Sequence, residues 1–188
     1  MYAQRRTLLL GGAALAGVAM LAQPLPARAA SRESLRKSGA LSLQTLYTEQ
    51  PNAKILADKA VGILVFPTIV QAGFVVGAET GDGVLFKGET AESYYNISSA
   101  SFGLQAGAQS FAYALFFMHE SALEYLHKSA GWAIGSGPSV VVLDKSAAAS
   151  VTSTTLSHDV YAIPYGNQGL MAGLSLEGSK ITRIHPDA

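Results

Sequence analysis

The spacing of apolar positions along this chain changes twice. A continuous apolar run covers residues 8–22. Residues 31–47 then place Leu35, Gly39, Ser42 or Leu43, and Leu46 at helical intervals, a thin stripe on one face. Ser31 stands where a cap is needed. Pro51 and Asn52 break the pattern, and Asn52 is placed to cap a second short helix to about Lys59. From Val61 onward the period is that of strands. Residues 61–66 form a β-branched run closed by Pro67, and 72–79 alternate before the turn signal of Thr80, Gly81, Asp82 and Gly83. Residues 84–87 and 93–97 flank Gly88 and Glu89 as a hairpin, and 101–109 and 111–118 read as two more strands. Residues 119–128 are the one later helix, with Glu124 four positions before Lys128 and Gly131 as its stop. Short strands follow near 132–134, 140–143, 148–154, 160–163, 170–176 and 180–184. The predicted class is α+β: a curved, largely antiparallel sheet or partly closed barrel, with N-terminal helices and one inserted helix.

Within the strand region a glycine pattern recurs at Gly73/Gly77, Gly103/Gly107 and Gly169/Gly173. On a helix such spacing would make a packing face. On strands it makes a ribbon with two unlike faces. One face carries Phe74, Val76, Ala78 and their counterparts and is read as core. The other carries the glycines and ends in Glu79, Gln109 and Ser175. Glycines there permit sharp coiling and close packing.

Composition changes the picture at the N-terminus. Arg5 and Arg6 precede the 8–22 run, and Ala27-Arg28-Ala29 supplies a small-residue cleavage site. Residues 1–29 are therefore read as an export signal of twin-arginine type, with the general secretion route as the alternative, and residues 30–188 as a single domain. Lys+Arg and Asp+Glu both number 13; setting aside Arg5, Arg6 and Arg28 leaves 10 basic residues and a net charge of −3. That balance argues against nucleic acid as a partner. The chain has no cysteine, hence neither disulfides nor a lipidated cysteine. The expected location is the periplasm, with the protein peripheral to a membrane at most.

Catalytic patterns are weak. His119-Glu120 lacks the second histidine of a zinc-protease helix, since Leu123 stands there. His119 and His127 read as helix-surface residues. Neighbouring His158 and Asp159 point to opposite faces of a strand. Ser34 and Lys37 fit S-x-x-K without the other elements of that site. Glu79 and Asp82 flank a turn without a calcium ligand ladder. No catalytic residue, metal or cofactor is expected, and a hydrolase is the least favoured reading.

Several strings resemble the SYLF domain, a lipid-binding family that includes the yeast actin-patch regulators. They are residues 61–67 (VGILVFP), 72–74 (AGF), 101–109 (SFGLQAGAQ), 131–132 (GW) and 169–181 (GLMAGLSLEGSKI). The resemblance spans about 35–184. It implies a non-enzymatic domain that binds membranes, with an amphipathic N-terminal helix implicated in some members. The matching helix here is 31–47. Actin is not expected as a partner of an exported protein, and phosphoinositides fit poorly; Gln71 replaces a lysine common in the family. The expected partner is an anionic lipid or membrane surface. Arg32, Arg36 and Lys37, with Lys54 and Lys59, would face headgroups while Leu35, Leu43 and Leu46 enter the interface; the alternative is that these leucines pack on the sheet and leave the charges solvated. So few charges give weak, salt-sensitive attachment. A structural protein that binds a cell-envelope partner is the alternative.

Overall fold

The structure, a computed structural model, describes residues 30–152, 156–166, 176 and 178–187, with backbone alone for 73–76 and 101–108. Helix α1 (Arg32–Glu49) starts at the expected cap: the Ser31 hydroxyl accepts from the Ser34 N–H at 3.3 Å. Helix α2 (Ala53–Ala57) follows, but Asn52 does not cap it. The Asn52 amide instead donates to the Ala149 carbonyl at 2.6 Å, which ties the helical start to a later loop.

Two long strands dominate what comes next. Strand β1 (Gly62–Lys87) and strand β2 (Thr90–Phe117) form one antiparallel hairpin ribbon, paired from Gly62–Phe117 to Lys87–Thr90 with register shifts between Phe66 and Ile69, Gly73 and Val75, and Leu85 and Phe86. Gly88, at φ 60°, makes the expected turn. Two predicted interruptions are absent. Pro67 does not end a strand; it lies in a register shift between Phe66 and Ile69, where its missing N–H leaves no gap in the ladder. Residues 80–83 do not turn either, and β1 runs straight through them. Their glycines serve close approach. A Cβ on Gly81 would stand 2.6 Å from the Thr68 carbonyl oxygen, and one on Gly83 would stand 2.7 Å from that of Val65. The far half of β1 thus crosses its own beginning, and the ribbon folds over itself.

Helix α3 (Glu120–Lys128) matches expectation, including the Lys128–Glu124 pair at 2.8 Å. Then come β3 (Trp132–Ala133), β4 (Val140–Val142), helix α4 (Lys145–Ala149), β5 (Val160–Tyr165) and β6 (Lys180–Ile184). Helix α4 replaces part of the strand expected at 148–154. The Asp144 carboxylate accepts from the Ala147 N–H at 2.7 Å, and the alanines that follow favour helix. The strand expected at 170–176 falls almost wholly outside the described residues, as does the third glycine copy. Among the described residues the sheet has 6 strands in the order β3-β6-β2-β5-β4, with β1 on the other edge of β2. The β4–β5 pair is parallel and the rest are antiparallel. This is the predicted α+β class: a largely antiparallel sheet curled into a half-barrel.

Alternation along the ribbon sorts the core. Leu64, Phe66, Ile69, Leu85, Tyr95, Ile97, Phe111, Tyr113, Leu115 and Phe117 face inward and are closed over by Leu123 and Leu126 of α3. Ala112, Ala114 and Phe116 face outward, under Leu46 of α1 and Leu56 of α2. Val65, Val84 and Phe86 form a smaller outer cluster with Leu43 against it. Gly39 lets α1 settle onto Val84 and Phe86. The two glycine segments pair with each other, Gly73 opposite Gly107. Their faces are not arranged as the pattern suggested. Ala78 is exposed, whereas Glu79, on the glycine-bearing face, is 6 % exposed and lies on the inward side. The fold over the corner turns the small-residue face inward.

Candidate functional site

The candidate surface is α1 and the sheet edge beneath it. Its stripe docks the helix: Leu35 is 4 % exposed, Leu46 is fully buried, and Leu43 is half-buried between two clusters. These leucines were expected to enter a lipid interface. In the docked helix they are held by the sheet instead, because a stripe this narrow is used up by one contact. The basic residues remain outside. Arg32 lies at the helix start, where its Nε donates to the Pro186 carbonyl at 2.9 Å. Arg36 forms a two-point pair with Glu33, with contacts of 2.7 Å and 3.0 Å. That exposed pair lowers the Glu33 carboxyl from its ordinary value and raises the Arg36 guanidinium. Lys37 is exposed beside it.

Lys54 and Lys59 belong to a different place. Lys54 reaches over the Tyr47 ring, 6.0 Å from its centroid, and Lys59 is exposed beyond α2. From Lys37 to Tyr47 the helix rises about 15 Å. The expected basic set is therefore divided between the two ends of α1 and does not form one patch.

Sequence reasoning missed the residue between those ends. Leu41 is 54 % exposed, one helical turn after Lys37, and Val70 on β1 is 46 % exposed. Leu41 borders a groove of about 350 Å³ lined by Ser38, Ser42 and Thr45 of α1, Pro67 and Thr68 at the β1 bulge, and Phe111 of β2. Tyr165 and Gly166 close its end. The Ser42 and Tyr165 hydroxyls share a hydrogen bond of 2.8 Å that fixes the helix to β5. Burial raises the Tyr165 hydroxyl well above its usual range, so it stays neutral. Among the described residues no charged side chain lines the groove. Its chemistry is a row of hydroxyls over an apolar floor, with a leucine at the lip and cations one turn away. The signal for it was present as Ser38, Leu41, Ser42 and Thr45, which repeat at helical spacing beside the predicted stripe.

Other candidate chemistry is dispersed. His127 is not a free surface residue. Its Nδ1 is 3.1 Å from the Tyr95 hydroxyl, and its Nε2 is 3.5 Å from Glu92. Asp159 accepts from the N–H and hydroxyl of Ser139, which hold its carboxyl below the usual range. Asp82 accepts from Asn96 at 2.8 Å within the ribbon. Among the described residues no group of three or more His, Cys, Asp or Glu is placed to hold a metal. No helix among them is long and apolar enough to cross a membrane.

Residues 98–185 match the model of the family described as Ysc84, Las17-binding protein actin regulator. This region is a SYLF domain. The SYLF match takes in the second half of β2 and everything through β6, including the Phe111, Tyr165 and Gly166 walls of the groove. Helix α1 precedes it. No curated protein matches the chain.

Proposed function

We propose that this SYLF protein is exported and binds anionic membrane surfaces from the periplasmic side, without catalysis, through the outer face of α1. The observation that carries this reading is Leu41: a large apolar side chain left 54 % exposed, one turn from Lys37 and about two from Glu33, with Arg36 next to Lys37 in the chain. Cations beside an exposed leucine give the two attractions used by interfacial helices, charge to headgroup and apolar side chain to acyl boundary. The docked leucines keep the helix on the sheet, so the helix meets the bilayer as part of a rigid body. Glu33 offsets one of the cations at this end, which makes attachment weak and dependent on ionic strength. Membership of a lipid-binding family supports the same reading.

The test is co-sedimentation with vesicles of anionic and of zwitterionic lipid at low salt. The protein is expected to sediment with the anionic vesicles only, and to lose that on Arg36→Glu with Lys37→Glu. Equal sedimentation of the double variant would remove α1 from the mechanism.

A further inference from the structure

Two of the three large apolar side chains that stand exposed among the described residues meet at one place. Leu41 lines the groove under α1. Val70, 46 % exposed, is the register partner of Ser110, which also lines it, and partners across a ladder point to the same face. The groove holds about 350 Å³, the low end of the range for small-molecule sites. Its floor is Pro67, Phe111 and Ala112. Apolar side chains grouped around a concavity in this way mark a place that takes a ligand.

The hydroxyls above this floor are not equivalent. Ser38 donates to the Ser34 carbonyl at 2.8 Å and Thr45 to the Leu41 carbonyl at 3.2 Å, so their protons return to their own helix. Ser42 bonds Tyr165 instead, and among the described residues neither of these two hydroxyls has another partner. Two hydroxyls carry two protons, and one bond between them uses one. Whichever group donates, one O–H is left over. Tyr165 is 1 % exposed and lines the groove, so this donor stands in a setting where a hydrogen bond is stronger than in water.

The lining decides between occupants. With no charged side chain among the described lining residues, nothing there balances a carboxylate or an ammonium group. A peptide brings an N–H and a C=O at every residue, and one free donor leaves most of them unsatisfied. A hydrocarbon chain with one neutral carbonyl at its end matches an apolar floor with one free O–H.

We propose that the groove is a receptor for the neutral carbonyl of a single-chain acyl ester or amide, held by the Ser42–Tyr165 hydroxyl pair, with its hydrocarbon chain over Pro67 and Phe111 between Leu41 and Val70. The ligand is a single molecule taken from solution. The site is therefore tested without any vesicle, and its failure is distinct from a failure of α1 to attach to membranes.

The experiment is calorimetric titration of the protein with monodecanoyl glycerol, decanoyl ethanolamide, the carbonyl-free monodecyl glycerol ether and decylamine, each below its micellar concentration. The ester or the amide should bind about tenfold more tightly than the ether, the worth of one hydrogen bond. The tighter of the two names the ligand class. Decylamine should bind no better than the ether. Ser42→Ala and Tyr165→Phe each leave one hydroxyl, now free to donate, so each should keep the preference for a carbonyl. The double variant should lose it. A bond that only fixes α1 to β5 predicts a different order: either single change breaks it, and all three variants would lose the same. Thr45→Trp changes an exposed position on the groove wall and puts a ring into the groove. It should abolish binding of ester, amide and ether alike without lowering the ligand-free melting temperature. Equal affinity for ester, amide and ether, loss of the carbonyl preference in both single variants, or undiminished binding in Thr45→Trp would overturn the proposal. So would a wild-type dimer that excludes the ester and is dissociated by Leu41→Glu with Val70→Glu, because a second copy would then fill the groove.

Discussion

Replacing Gly39 by alanine tests how α1 is held on the sheet. In an exposed helix this change stabilises by about 1 kcal/mol. Here the new methyl would stand 2.3 Å from Val84 Cγ1 and 3.2 Å from Phe86 Cε2. Val84 is fully buried and β-branched, so it has no second rotamer to retreat into. Overpacking of this kind costs about 1–3 kcal/mol, and against the helical gain the net loss is about 0–2 kcal/mol. The same substitution in a Val84→Ala background meets no obstructing methyl, so its sign should reverse to a gain of about 1 kcal/mol. The coupling between the two sites is then about 1–3 kcal/mol, favouring the double variant over the sum of the singles. Urea unfolding followed by the fluorescence of Trp132, the one tryptophan and 1 % exposed, reads all four proteins. Equal stabilisation by Gly39→Ala in both backgrounds would refute the close contact and with it the docked helix.

Gly83→Ala should destabilise by about 2–4 kcal/mol, since its methyl would stand 2.5 Å from Phe66 Cδ1 and 2.7 Å from the Val65 oxygen, and backbone cannot swing aside. Gly88→Ala, which meets nothing within 4 Å but sits at φ 60°, should cost only about 1–2 kcal/mol in the same urea assay. Glu79 should make stability fall with rising pH: its folded pKa is raised above 4.5, so its contribution is full below 4.5 and is lost as pH climbs through the raised value. The melting temperature of Glu79→Gln should lack that component, and parallel pH profiles of variant and wild type would count against a buried carboxyl.

Local chemistry was readable where it acts locally. Ser31 as a cap, Gly88 with Glu89 as a hairpin turn, α3 with its Glu124–Lys128 pair, and β6 at Lys180–Ile184 all follow from neighbours in the chain. The errors arose where a residue answers to something distant. Gly81 and Gly83 look like turn glycines, because a turn and a backbone crossing both require a missing Cβ; only the position of residues 65–68 tells them apart. Pro67 looks like a strand end until the register shift beside it is known. Glu79 looks like a solvated turn acid until the ribbon folds over it. At the candidate surface, the stripe of Leu35, Leu43 and Leu46 was correctly identified as apolar. Of the two partners the stripe could take, sheet or lipid, the sheet took it, and the exposed apolar contact passed to Leu41, which the sequence reading had not singled out.

The most direct measurement places a reporter at Leu41. The chain contains no cysteine, so Leu41→Cys can carry a single environment-sensitive fluorophore, with Ser150→Cys as the control on another exposed site. On addition of anionic vesicles at low salt, the label at position 41 should shift to the blue and the label at 150 should not. Restoring salt should reverse the shift. An unchanged spectrum at position 41, under conditions where the protein sediments with those vesicles, would contradict attachment through α1.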